Sequence, residues 1–357
     1  MKFLLAADLH IAAAEKEYSL AVLDEITGIC GLEKCDALLL GGDIFDSWAD
    51  AEALRGAFRT AVDRLPPSCT VYYLPGNHEE LRAPPGGRLE NFDFGRVRLL
   101  CRKPWSLEFP DEGTELLAIP FAADYSSYRE WGVPPKARPR RLILAHGTVA
   151  GIAWTGTGEE DRSFLDPDIF AFLEGDLAAL GHLHGAFQRQ IGKALLVYPG
   201  SARVWREGEG GPRQVFLGTT ADPAWRLEAR TLRAAGEYRP VTVHINPDGS
   251  PEKVDLSSFS EADWLRCEAE GFVEDEGSAM AALRGWMKGL EGKYRRLTEG
   301  VHRLSVVSGI SSHPLGLQFL KKWEALAASY RDEQEGVYDL ARIRGLSVLK
   351  EILERRK

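Results

Sequence analysis

The chain has 357 residues, 44% of them hydrophobic and 27% charged, which is enough for two domains with cores of their own. Its formal net charge of −9 excludes a uniformly basic surface that would grip nucleic acid unaided, so a polyanionic ligand would need bound cations or a partner that shares the grip. Five scattered cysteines (30, 35, 69, 101 and 267) read as reduced core filler, no apolar run reaches the roughly 18 residues of a membrane span, and residues 3–7 after Met1-Lys2 are too few for a signal peptide, so a cytoplasmic protein is expected.

Short β-branched or Leu-rich runs alternate with helical patterns along the first two thirds of the chain. Residues 3–7 read as a strand that ends in Asp8-Leu9-His10. A helix is predicted over 17–29, then a strand over 37–40 that runs into Gly41-Gly42-Asp43-Ile44-Phe45-Asp46. The next helix is predicted over 50–65 with Asp50 as its cap, and the strand over 71–74 leads to Gly76-Asn77-His78-Glu79. Residues 81–88, rich in Pro and Gly, are either a substrate rim or a plain connector. Residues 132–140 are Pro-rich and basic, a surface connection before a strand at 142–145 that delivers His146. In the polar stretch 154–161, Trp154 either stacks on a base or anchors its loop to the core. The strand at 177–180 ends in Gly181-His182-Leu183-His184. Such βαβ units imply a sheet covered on both faces.

Beyond Gly236 the pattern changes: strand 241–245, helices 260–268 and 279–290, and strand 301–307, a compact α/β cap. Its histidines, His244, His302 and His313, lack metal spacing and read as surface or packing residues. The helical tail carries an apolar stripe of Val337, Leu340, Ile343, Leu346, Leu349, Ile352 and Leu353. Either that stripe packs on the cap or it docks a partner helix, and Gly345 within it, which weakens an isolated helix by about 1 kcal/mol, favours folding on contact.

Seven residues of metal-ligand type stand at the ends of predicted strands: Asp8, His10, Asp43, Asn77, His146, His182 and His184. A lone Asp-x-His or His-x-His is usually a turn or a satisfied polar pair, but five such elements in order form the ligand set of a two-metal phosphoesterase. Two ions about 3.5 to 4 Å apart need one shared carboxylate, and Asp43 is the candidate because the glycines before it allow a sharp, close turn. The mix of carboxylate, amide and imidazole suits Mn²⁺, Fe²⁺ or Zn²⁺ better than Mg²⁺ or Ca²⁺, and the lack of cysteine in the motifs argues against structural zinc. Arg82, Arg88, Arg162, Arg203 and Arg206 either line a phosphate track or are solvated surface residues.

These motifs resemble the calcineurin-like metallophosphoesterases, whose series is D-x-H, G-D-x-x-D, G-N-H-[DE], a single H and G-H-x-H. The resemblance implies a β-sandwich flanked by helices, with a smaller α/β capping domain and C-terminal helices. It also implies that Asp8, His10, Asp43 and His184 hold one metal and that Asp43, Asn77, His146 and His182 hold the other. His78 would then donate a proton to the leaving oxygen or clamp the phosphate, with Asp46 orienting its ring and raising its pKa; a turn or helix cap is the plainer role for Asp46. The stretch Tyr198-Pro199-Gly200-Ser201 and the acidic Glu207-Gly208-Glu209 are similar to the SbcD type of DNA repair exonuclease, well over residues 1–235 and loosely beyond. Asp46 sides with the bacterial branch of that family, and Glu79 stands where most of these nucleases carry aspartate. The domains implied are a nuclease domain at 1–235, a capping domain at 236–312 and a helical partner-binding region at 313–357. The function implied is a manganese-dependent DNA nuclease, a 3′-to-5′ exonuclease on duplex ends and an endonuclease on single strands. It would act with an SbcC-like coiled-coil ATPase, a homodimer is allowed, and no membrane is involved. The rival is a phosphatase or cyclic-nucleotide phosphodiesterase of the same fold.

Overall fold

The computed structural model describes residues 1–121, 125–151, 164–221, 224–246, 249–306, 310, 313–327 and 335–355. The chain divides into two compact units, Met1–Glu237 and Tyr238–Lys357.

The first unit contains β1 (Lys2–Ala6), α1 (Lys16–Leu32), β2 (Ala37–Leu40), α2 (Trp48–Asp63), β3 (Thr70–Tyr73), the short α3 (Asn77–Leu81), β4 (Val97–Leu99), β5 (Ser106–Glu108) and β6 (Thr114–Ile119). There follow β7 (Arg140–His146), β8 (Thr148–Val149), β9 (Phe164–Leu165), α4 (Asp168–Phe172), β10 (Leu177–Gly181), β11 (Phe187–Ile191), β12 (Ala194–Tyr198), β13 (Gln214–Ala221) and β14 (Ala224–Thr231). Two six-stranded sheets result, in the orders β14-β13-β1-β2-β3-β4 and β11-β12-β10-β7-β6-β5, while β8 pairs with β9. In the first sheet β1 to β4 run parallel, and the antiparallel pair β13 and β14 extends it beyond β1. In the second the four central strands, β12, β10, β7 and β6, run parallel, with β11 and β5 antiparallel at the two edges.

Because side chains alternate across a strand, each run feeds two cores. Phe3, Leu5, Leu39 and Tyr72 of one sheet meet Leu116, Ala118, Leu142 and Leu144 of the other. Their alternates Leu4, Leu38, Leu40 and Tyr73 pack beneath Val22, Ile26, Leu54 and Phe58 of α1 and α2. On the far side Ile143, Ala145, Ala178 and Leu180 are covered by Ile169 and Phe170 of α4. This is the helix-flanked β-sandwich that the resemblance to the metallophosphoesterases implies. All five cysteine thiols are free. The N-cap of α2 is Ser47, not Asp50: Ser47 Oγ accepts the Asp50 amide at 3.2 Å, and Asp50 Oδ2 accepts the Ser47 hydroxyl at 2.5 Å, so the Asp50 side chain reaches back to the cap.

The second unit contains β15 (Tyr238–His244), β16 (Trp264–Val273), α5 (Glu276–Lys288), β17 (Arg296–Glu299), β18 (Arg303–Val306), α6 (Pro314–Ala327) and α7 (Glu335–Glu354). The helix expected over 260–268 is a turn followed by β16, the central strand, to which β15, β17 and β18 all run parallel. Leu265, Cys267 and Ala269 of β16 are buried at the period of a strand and pack with Val241, Val243, Ala279 and Leu283. In the tail, Leu346 packs with Leu349, Leu353, Ile310, Phe319 and Leu320. Gly345 lies where an added Cβ would strike the Phe319 ring, so close helix contact explains this glycine better than a need to fold on a partner. Val348 and Ile352 stay exposed, while the side chains of Val337, Leu340 and Ile343 lie outside the described residues. No described helix is long and apolar enough to cross a membrane.

Candidate metal centre

The first three motifs follow β1, β2 and β3, and His146 and Gly181-His182-Leu183-His184 stand at the ends of β7 and β10, the carboxyl edges where open α/β sheets place their chemistry. Asp8, His10 and Asp43 adopt left-handed backbone, with φ of 52°, 43° and 51°, and His182 has φ of 98°. Such conformations cost free energy in non-glycine residues and persist where surrounding bonds over-determine them. Here the amides of Asp8, His10 and Ile11 donate to the carbonyls of Gly42, Asp43 and Ile44 at 3.0, 3.0 and 2.8 Å. Gly42 is forced: its φ is 97°, and a Cβ there would enter the His146 ring.

Glu79 is the organising residue of the second and third motifs. Its buried carboxylate accepts five bonds: from the amides of Asp43 (3.2 Å), Ile44 (2.6 Å), Phe45 (3.0 Å) and Gly76 (2.9 Å), and from the Tyr73 hydroxyl (2.8 Å). The Asp43 loop is thereby pinned to the turn that carries Asn77. Burial and the charge of Asp43 raise the Glu79 pKa against these donors.

Three ligand-type groups converge: Asp8 with His10 and His184, Asp43 with His146 and His182, and His10 with Asp46 and His78, the candidate atoms of each lying within 4.8 Å of one another. The Nε2 atoms of His10 and His184 face each other at 3.2 Å. Asn77 Oδ1 stands 2.9 Å from both His146 Nε2 and His182 Nδ1. His78 donates its amide to Asp43 Oδ1 at 2.9 Å. Its ring is anchored by the Asp46 main-chain carbonyl, 2.7 Å from Nδ1, whereas the Asp46 carboxylate stands 3.5 Å away. That carboxylate is 3.3 Å from His10 Nδ1, and among the described residues neither of these buried atoms makes a well-aligned hydrogen bond.

These contacts fit divalent cations. The carbonyl of Gly41 can only accept, so His146 Nδ1, 2.8 Å away, carries hydrogen. In the neutral ring Nε2 is then an acceptor facing the acceptor Asn77 Oδ1, a pairing that needs either a second proton or a cation. Burial would lower the His146 pKa, but the Asp43 carboxylate outweighs it and lifts it to about 9. Asp43 shows the counterpart: burial pushes its carboxyl up, yet His146 and the neighbouring imidazoles hold it well below the usual range. Burial raises Asp8 and lowers His10 to about 3. Burial would also lower His184, but its bond to Glu209 and the nearby carboxylates outweigh it, and its pKa is raised.

Residues outside the expected ligand set also touch the centre. The Trp205 ring stacks on His10 at 4.3 Å and 12° and stands edge-on to His78 and His184. Glu209 Oε1 is 2.5 Å from His184 Nδ1. Arg203, expected on a phosphate track or in solvent, is 1% exposed and donates to the His10 carbonyl at 2.8 Å. Arg206 lies over Trp205 at 4.1 Å, exposed Arg82 donates to the Asp46 carbonyl at 3.0 Å, and Arg88 is exposed. Trp154 and Arg162 lie outside the described residues.

The family described as calcineurin-like phosphoesterase matches residues 1–186, just over half of the chain. Solved structures with a similar fold include TT1561 of Thermus thermophilus (15% identity, 65% of this chain and 99% of that one, TM-score 0.42). A dimetal phosphatase from Danio rerio matches at 14% identity over 65% of this chain and 96% of its own, with a TM-score of 0.42. A novel archaeal phosphodiesterase matches at 14% identity over 64% and 100%, with a TM-score of 0.34. No curated protein matches the chain.

Proposed function

The chain belongs to the calcineurin-like phosphoesterases, a family that uses divalent metals, and from that premise we propose that it is a two-metal nuclease that cleaves phosphodiesters of DNA. The observation that carries the metal chemistry is the convergence of Asp8, His10 and His184 beside Asp43, His146 and His182, with Asp43 hydrogen-bonded to the turn that carries Asn77. In this reading Asp8, His10, Asp43 and His184 hold one ion, and Asp43, Asn77, His146 and His182 hold the other, with manganese the expected metal. When bound, such a pair supplies a water of lowered pKa and neutralises charge on the phosphoryl oxygens. Glu79 keeps Asp43 aimed between the two clusters, and Gly41 fixes the tautomer in which His146 offers Nε2. His78, held at Nδ1 by the Asp46 carbonyl, presents Nε2 3.9 Å from Asp43 Oδ2, and as the imidazolium, with a proton on both nitrogens, it would give the Nε2 proton to the departing 3′ oxygen and remain a neutral ring.

Support for DNA comes from the resemblance of the Tyr198-Pro199-Gly200-Ser201 stretch and its acidic sequel to SbcD-type exonucleases, and from a second unit that a small-substrate esterase does not need. The proposed action is 3′-to-5′ removal of nucleotides from duplex ends, with endonuclease cuts in single strands, in the cytoplasm. An SbcC-like ATPase would take up the exposed side of the C-terminal helices and share the DNA grip that a chain of net charge −9 lacks. Labelled linear duplex, hairpin DNA and a cyclic nucleotide, each with Mn²⁺ or Mg²⁺, test this reading. Cleavage of both DNAs with Mn²⁺ is expected, and turnover of the cyclic nucleotide alone would replace the nuclease by a small-substrate phosphodiesterase. Removal of residues 336–357 should spare hydrolysis of a nitrophenyl phosphodiester and stop co-purification of the ATPase; a truncated chain that still brings it down refutes docking through the tail.

A further inference from the structure

The segment 201–209, between β12 and β13, touches the first ligand cluster with every second residue of its leading half. Ser201 Oγ donates to the Asp8 carbonyl at 2.9 Å, Arg203 donates to the His10 carbonyl at 2.8 Å, and Trp205 lies flat on the His10 ring. Trp205 then returns its amide to Glu209 Oε2 at 2.8 Å, and the other oxygen of Glu209 meets His184 Nδ1. Ser201 and Arg203 are each 1% exposed, so these bonds are formed in a buried setting where geometry is held closely. Of the other cluster, His146 is supported from outside this segment, by the Gly41 carbonyl on Nδ1 and the Tyr125 hydroxyl donating to the His146 carbonyl at 3.0 Å, while the His182 amide donates to both Asp8 oxygens at 3.0 Å.

We propose that residues 201–209 form a strap that shapes the metal position of Asp8, His10 and His184 through the rings of His10 and His184, with Trp205 and Glu209 as positioning residues, so that this ion can be lost while the other is retained. This rests on the two-metal reading above. The physics is that of an outer ring of partners. Glu209 accepts the His184 Nδ1 proton and so commits Nε2 to the ion, and the indole plane stops His10 from turning out of line; removing such partners typically weakens a metal about 10- to 100-fold. Trp205 also faces the His78 ring edge-on, so the same strap sets the approach of the proposed proton donor to the first ion.

The test is titration of the full chain, freed of metal, with Mn²⁺, with free ion read by electron paramagnetic resonance. The unaltered chain should bind two ions. Trp205→Ala and Glu209→Gln should each weaken one ion about 10- to 100-fold and leave the other unchanged, the retained ion serving as a check on folding, and Trp205→Phe, which keeps a flat ring on His10, should restore the pair. Equal weakening of both ions, or of neither, overturns the strap while leaving the two-metal reading intact. A single ion in the unaltered chain overturns the two-metal reading and the strap with it.

Discussion

The eight histidines of this chain fall into two settings. In residues 1–237 five of them, His10, His78, His146, His182 and His184, stand at strand ends with their nitrogens turned on one another, on carboxylates or on an amide oxygen. In residues 238–357 the other three do routine work. His244 is exposed on β15, His302 accepts the Ala269 amide at 3.0 Å, and His313 accepts the Leu315 amide at 3.2 Å. Among the described residues every metal-capable cluster lies in the first unit. The imidazoles are chemically the same. What separates them is position: the five follow or end parallel strands whose carboxyl edges converge, two of them, His10 and His182, in left-handed backbone, whereas those of the second unit stay on a sheet face or in short loops.

Four changes break or sharpen this contrast. The largest effect is expected of Asp43→Ala, which removes the carboxylate proposed to serve both ions and should lower phosphodiester hydrolysis by about 10⁴-fold or more, several kcal/mol of transition-state stabilisation. His302→Ala in the second unit should leave the rate within about twofold, and a comparable loss there would undo the contrast. His78→Ala comes next, with hydrolysis reduced about 10²- to 10⁴-fold while elemental analysis finds the metal content unchanged; loss of metal in that variant would make His78 a ligand instead. Third, Glu79→Gln should remove about 1–3 kcal/mol of stability, because its amide nitrogen opposes donors that the carboxylate accepted. Thermal melting reports it, and a melt unchanged from the parent would show that the five bonds contribute little.

A last effect is one of pH. His146, with a folded pKa of about 9 against 6.5 unfolded, is joined by His184, also raised. The folded metal-free chain therefore keeps protons that the unfolded chain has released above pH 6.5, so this contribution is full below 6.5 and fades as pH climbs through about 9. Metal replaces those protons, and Mn²⁺ affinity should rise over the same window. Melts of the metal-free chain that show no decline from pH 6.5 to 9 would contradict these assignments.

The five motif-bearing strands of the first unit can be read directly from residues, because apolar runs that stop at Asp, Asn or His, ambiguous singly, gain meaning when several follow one another in order. The strand 37–40 is found with those bounds, and the others begin or end within a residue or two. The second unit is harder to read. Charged Glu261 and Asp263 precede β16 and Arg266 and Glu268 lie within it, and with Leu265 and Ala269 four apart they imitate a helix, although Leu265, Cys267 and Ala269 alternate inward. Trp205 and Glu209 are illegible as site residues for a different reason. Their partners lie about 20 to 200 positions away, and no spacing rule connects an indole to an imidazole across two sheets.

The pairing of β1 with β13 bears on how the molecule is made. β1 is an interior strand, yet the neighbour on one of its sides is supplied by Gln214–Ala221, about 200 residues later. At about 5–20 residues per second, a ribosome leaves that hydrogen-bonding edge bare for roughly 10 to 40 seconds, with Phe3 and Leu5 beside it. An open apolar edge invites pairing with foreign strands. An emerging polypeptide therefore exposes that edge until Gln214–Ala221 has been made, and β1 gains its second neighbour only after every ligand-type residue of the centre has been synthesised.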